Sequence, residues 1–140
     1  MEEFNQLMQL RREKLQKLAD MDVNPYAYVF EQKHYSDDIL NNFDKFESSN
    51  VSVSGRMMSV RLMGKAAFFH LQDRFGKIQI YIRKDKVGDH TYEVFKLLDI
   101  GDLVGIEGTV FKTRTGEISI LAENFQLLAK SLRPLPIVKE

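Results

Sequence analysis

The sequence predicts an all-β core with added helices: a five-stranded OB-fold barrel with an N-terminal helix and a helix between strands 3 and 4. Three observations carry this expectation. From Val51 onward apolar residues recur with a period of two, in five segments divided by glycine-bearing turns. The gap after the third segment has helical spacing instead. The first segment changes its inward phase part-way along, which requires a bent strand. A sandwich normally needs about seven strands, so the barrel is the better solution.

Residues 3 to about 20 read as a helix, with Phe4, Leu7, Met8, Leu15 and Leu18 near one stripe and Glu2 and Glu3 at the positive end of its dipole. Asn24-Pro25 ends it. Arg11 interrupts the stripe, so most of this helix is expected in water with a thin apolar edge on the domain or a partner. Ser36, an N-cap candidate followed by Asp37 and Asp38, opens a shorter helix running to about Phe46. Strands follow at roughly 51–62, 66–73, 77–84, 103–112 and 117–128. Met63-Gly64, Arg74-Phe75-Gly76 and Arg114-Thr115-Gly116 are short enough for hairpin turns. In the first strand Val51 and Val53 point one way while Met58, Val60 and Leu62 occupy the other phase, so a bend or bulge is expected near Gly55. Residues 88–99 carry helical spacing at Val94, Leu97 and Leu98. The organisation is therefore a helical extension and loop at 1–50 and a barrel at 51–130.

With 140 residues, 44% hydrophobic and 29% charged, the chain has room for one compact domain and an appendage, not for two enzyme domains. The lack of cysteine excludes disulfides, thiol chemistry and cysteine–zinc sites, and fits a reducing compartment. No run of roughly 18 apolar residues and no signal-like apolar region occurs, so a cytoplasmic location without membrane attachment is expected. The formal net charge is zero, but the charge is sorted along the chain. Residues 55 to 86 hold 8 basic side chains (Arg56, Arg61, Lys65, Arg74, Lys77, Arg83, Lys84, Lys86) against 2 acidic ones, Asp73 and Asp85.

Alternation places Ala67, Phe69 and Leu71, with Ile78, Ile80 and Ile82, inside the barrel. The outer face then carries Phe68, His70 and Gln72 on the second strand and Lys77, Gln79, Tyr81 and Arg83 on the third. Arg61 joins that face from the first strand, Glu117 stands at its rim, and Ile118 and Ile120 point inward on the fifth. Aromatic rings among arginines suit single-stranded nucleic acid: rings stack unpaired bases for about 1–3 kcal/mol each, and arginines attract phosphate. Gln79 adds an amide that both donates and accepts, as reading a base edge requires. The alternative is that Phe68 and Tyr81 only pack across strands beneath the N-terminal helix.

Nothing in the chain reads as catalytic. His34, His70 and His90 are scattered without carboxylates at ligand spacing, so no metal site is expected. Phosphate-cradling glycine motifs and a nucleophile elbow are absent. Asp37, Asp38, Asp44 and Glu47 read as decoration of a solvated helix and loop.

The string GRMMSVRLMGKAAFFHLQDRFGKIQIYIRKD, residues 55 to 85, closely resembles the anticodon-binding domain of the bacterial-type class II lysyl-tRNA synthetases. The resemblance extends to RREKLQKL at 11–18, GD at 101–102, FKTRTGEISI at 111–120 and LLAKSLRPLP at 127–136. Aspartyl and asparaginyl relatives share the barrel, but MGKA and FKTxTGE look lysyl. The resemblance implies that Phe68 stacks on the central uridine of the lysine anticodon, that Gln79 and Arg61 bond its edge or its neighbours, and that Glu117 attends the wobble base. His70, Tyr81, Arg83 and Lys65 are further candidate RNA contacts. It also implies a parent lysine–tRNA ligase using ATP and Mg2+, homodimeric through a catalytic domain that follows LRPLP, with 131–140 as the start of the linker to that domain. By that reading the chain is a fragment, itself without cofactor and monomeric, its tail PIVKE departing from the family's continuation. Two other classes remain open: a sequence-tolerant single-strand-binding module and a protein-interaction domain.

Overall fold

The computed structural model describes residues 32–129, together with Gln6, Gln9, Arg12, Glu13, Gln16 and Lys17, which are helical and exposed. These six lie on the expected N-terminal helix; its apolar stripe, Asn24-Pro25 and the expected linker at 131–140 lie outside the described residues. Alternating Val, Ile and Phe produce five strands: β1 (Asn50–Leu62), β2 (Ala66–Asp73), β3 (Gly76–Arg83), β4 (Leu103–Lys112) and β5 (Ile118–Ala129). They close into a barrel in the order β1-β2-β3-β5-β4. Every pairing is antiparallel except β3 with β5, a short parallel contact at Gln79↔Ser119, Ile80↔Ile120 and Tyr81↔Leu121. Closure pairs the backbone all the way round, so the barrel exposes no full-length sheet edge.

Closure depends on β1 serving two neighbours. Residues 50 to 56 pair with β4, and residues 56 to 62 pair with β2. At the crossover β1 bends, and Gly55 is required there: a Cβ would be driven into the carbonyl of Gln72. The inward face does not switch at Gly55, however. Val51, Val53, Gly55 and Met57 all share the buried phase, and Met58 faces outward opposite His70. The switch comes at a bulge between Met58 and Arg61, where Ser59 takes φ 51°. Beyond it Leu62 lies opposite the buried Ala67 and Arg61 opposite Phe68. The expectation that Met58 points inward is thereby corrected, because one extra residue in the strand inverts the alternation.

The barrel interior is filled by Val51, Val53, Met57, Ala67, Phe69, Leu71, Ile78, Ile80, Ile82, Val104, Ile106, Val110, Ile120, Ala122 and Leu127, all essentially inaccessible. One opening is plugged from the β3–β4 connection. There α3 (Lys84–Val87) precedes α4 (Asp89–Lys96), which buries Tyr92, Val94 and Phe95. Phe95 stacks on Phe69 at 5.6 Å and meets Phe125 edge-on at 5.6 Å, so the plug is continuous with the core. The Tyr92 hydroxyl donates to the Gly64 carbonyl at 3.1 Å, tying the β1–β2 turn to the plug. Burial pushes that phenol up from its ordinary pKa, keeping it a donor.

The expected helix at 36–46 is two short pieces, α1 (Ser36–Asn41) and α2 (Phe43–Phe46), broken at Asn42, whose φ −130° and ψ 42° are not helical. Ser36 is not the N-cap. It is the first helical residue and is buried, with its backbone N–H and hydroxyl each donating to the Asp73 carboxylate at 2.7 Å. Asp73 also accepts the N–H groups of Phe75 at 2.9 Å and Gly76 at 3.1 Å. One carboxylate from the end of β2 thus caps α1 and shapes the β2–β3 turn.

Gly108 on β4 is the other close approach, since a Cβ there would overlap the Leu121 carbonyl across the β4–β5 ladder. Gly108→Ala should cost about 3 kcal/mol or more through strain in a packed barrel. Urea unfolding followed by circular dichroism measures this; a loss below about 0.5 kcal/mol would contradict the packing described.

Candidate nucleic-acid interface

The outer surface of β1, β2 and β3 is organised in rows set by strand register. One row runs Arg61, Phe68, Tyr81 and Leu121; the next runs Met58, His70, Gln79 and Ser119. Arg56, Gln72 and Lys77 make a third. Phe68 and Tyr81 stack with ring centroids 4.5 Å apart and planes 16° from parallel, yet both remain half-buried. Their packing on each other is therefore real, and it leaves ring surface accessible among the described residues. Phe111 on β4 extends the aromatic group, tilted toward Tyr81 at 6.2 Å. Arg61, directly across from Phe68, is exposed.

The second row is polar and interconnected. Gln79 Nε2 donates to Ser119 Oγ at 3.0 Å, and Ser119 Oγ donates to the Glu117 carbonyl at 3.4 Å. Glu117 lies immediately before β5, in a turn closed by Thr113 N–H to Glu117 carbonyl at 2.9 Å and Glu117 N–H to Thr113 Oγ1 at 3.0 Å. That turn holds its carboxylate over the face, where Oε2 is 3.4 Å from His70 Nε2. The side chains of His70 and Glu117 are 36% and 48% exposed, enough to exchange this contact for a ligand.

Arg61, Phe68, Gln79 and Glu117, predicted from sequence, thus share one surface, and His70 and Tyr81 touch them directly. Arg83 and Lys65 sit at one edge. Lys65 is exposed in the β1–β2 turn, and Arg83 is engaged by Asp85 through Nε at 3.0 Å and Nη2 at 2.6 Å. His34 is structural: its Nδ1 accepts the Ser52 N–H at 3.0 Å. Sequence reasoning missed Ser119, Met58 and Phe111 as members of this surface. Ser119 shares the phase of Glu117, which would have revealed it; Met58 was hidden by the displaced bulge.

Among protein-family models, that of the OB-fold nucleic acid binding domain matches residues 51–128, the whole barrel except its first and last residues. The chain belongs to this family. Among curated proteins it is 53% identical, over 96% of its own length, to the lysine–tRNA ligase of Pelotomaculum thermopropionicum. It is 51% identical to that of a Thermoanaerobacter species and 50% identical to that of Bacillus cytotoxicus, again over 96% of its length. The chain spans only 27%, 27% and 28% of the length of these three relatives. The similarity thus covers the described OB domain together with the N-terminal segment.

The Arg83–Asp85 clamp gives this OB domain a testable electrostatic property. Asp85→Ala should free Arg83 and raise affinity for single-stranded RNA two- to threefold in dilute salt, an exposed pair being worth on the order of 0.5 kcal/mol. The gain should vanish at about 0.5 M salt. Fluorescence anisotropy titration reads both, and unchanged affinity in dilute salt would mean that Arg83 stands outside the interface.

Proposed function

We propose that the chain is the tRNA-reading domain of a lysine–tRNA ligase and docks the anticodon loop of the lysine tRNA on the outer face of β1, β2 and β3. The observation that carries this is the convergence of Arg61, Phe68, Gln79 and Glu117 on one face, in a chain about half identical to lysine–tRNA ligases along nearly its whole length. In this reading the central uridine stacks on Phe68, whose other ring face is backed by Tyr81. Gln79 bonds the uracil edge, and Arg61 contributes charge to the phosphate or a neighbouring base. The Glu117 carboxylate takes the imino N–H of the wobble base and repels a misplaced phosphate. His70, Lys65 and Arg83 complete the contact.

The parent enzyme then joins lysine to this tRNA at the expense of ATP, with Mg2+, in a separate domain, working in the cytoplasm as a homodimer. The present chain supplies recognition and no chemistry; alone it needs no cofactor and is a monomer.

Titration of the chain with a UUU anticodon stem-loop, and with the same hairpin changed at the central base, tests the proposal. Binding should weaken steeply with salt, since several phosphates are neutralised. Phe68→Ala and Gln79→Ala should each lower affinity about tenfold with the fold intact. Equal affinity for poly-C would instead support a sequence-tolerant module, and no salt-sensitive binding at all would support a protein-interaction role.

A further inference from the structure

Ser119 is the fully buried polar side chain of the outer face, and no role follows for it from packing alone. Its hydroxyl has a single proton. The Glu117 carbonyl, 3.4 Å away, can only accept, and a hydroxyl that donates toward it offers Gln79 its lone pairs. In that arrangement Gln79 meets Ser119, at 3.0 Å, with its amide nitrogen. The reverse orientation of the amide keeps one hydrogen bond at Ser119 instead of two. Gln79 Oε1 is thus turned away from β5, and the side chain, otherwise able to present either end, acquires a direction.

We infer that Ser119 is a positioning residue that sets the choice of uracil over cytosine at the central base by fixing the Gln79 amide. This rests on the anticodon reading proposed above. Uracil presents a donor at N3 beside an acceptor at O4, whereas cytosine presents an acceptor at N3 beside a donor at N4. An amide with its oxygen held toward N3 accepts from uracil and faces a lone pair on cytosine. A free amide turns over and pairs with both. Discrimination of this kind comes from leaving a buried polar group unpaired in the wrong complex.

The test uses the full 140-residue chain and two hairpin RNAs that differ only in a central U or C. The wild-type chain should prefer U by about tenfold or more. Ser119→Ala should bring the ratio to within about threefold while U binding falls only slightly, and Ser119→Thr should restore the preference. In a Gln79→Ala background, Ser119→Ala should leave the ratio unchanged. A Ser119→Ala chain that keeps the wild-type ratio, or one that shifts it equally without Gln79, overturns the inference. Should the alanine variant unfold, the nitrogen-15 spectrum of the wild-type chain decides: one Gln79 side-chain amide proton should exchange slowly, and exchange as fast as an exposed glutamine overturns the proposal. A wild-type chain that binds neither hairpin, or both equally, fails earlier and overturns the anticodon reading as well.

Discussion

The double pairing of β1 is the constraint on which the rest of the molecule depends. Its first half closes the barrel against β4 and its second half pairs with β2 to begin the outer face, with the bend at Gly55 between them. The bulge at Ser59 then decides what each side chain faces. Without it, strict alternation would send Arg61 inward whenever Met57 is inward, and a guanidinium would be turned toward the core beside Val60. Burying that charge unpaired would cost several kcal/mol. A strained serine at φ 51° is a small cost by comparison, of order 1–3 kcal/mol.

Polar anchors around the barrel have a common character: each fixes a turn between two strands. Asp73 collects donors from α1 and from the β2–β3 turn; Tyr92 reaches from the plug to the β1–β2 turn; Thr113 and Glu117 lock the β4–β5 turn. The three turns next to the outer face are therefore held by specific hydrogen bonds, while the strands between them are held by burial. Short glycine-containing turns leave few alternative geometries, and these bonds select among them.

Much of this was legible beforehand, because period-two alternation is a direct record of one buried face. Strand ends agree with expectation to within a residue, and Ala67, Phe69, Leu71, Ile78, Ile80 and Ile82 are buried as read. Errors arose where a local rule was overruled from a distance. Ser36 looked like a cap, but Asp73, remote in sequence, performs that task. The phase change in β1 is legible in its alternation, but its position is not: Gly is the usual marker of irregular strand geometry, whereas Ser59 carries it. Ser119 is legible as an outer-face residue from the phase of Glu117, but its hydrogen bond to Gln79 joins β5 to β3, a relation that no single-strand pattern records.

The stacked pair of Phe68 and Tyr81 has a thermodynamic meaning beyond contact area. Each ring already immobilises the other in the free protein, so the loss of side-chain freedom that normally accompanies binding has been incurred during folding. A base that joins them completes a column of three rings and leaves the ordering cost with the nucleic acid. In the anticodon reading proposed above, affinity then tracks how readily the loop releases its bases from their own stacks, which favours a relaxed loop over a rigid one of identical sequence.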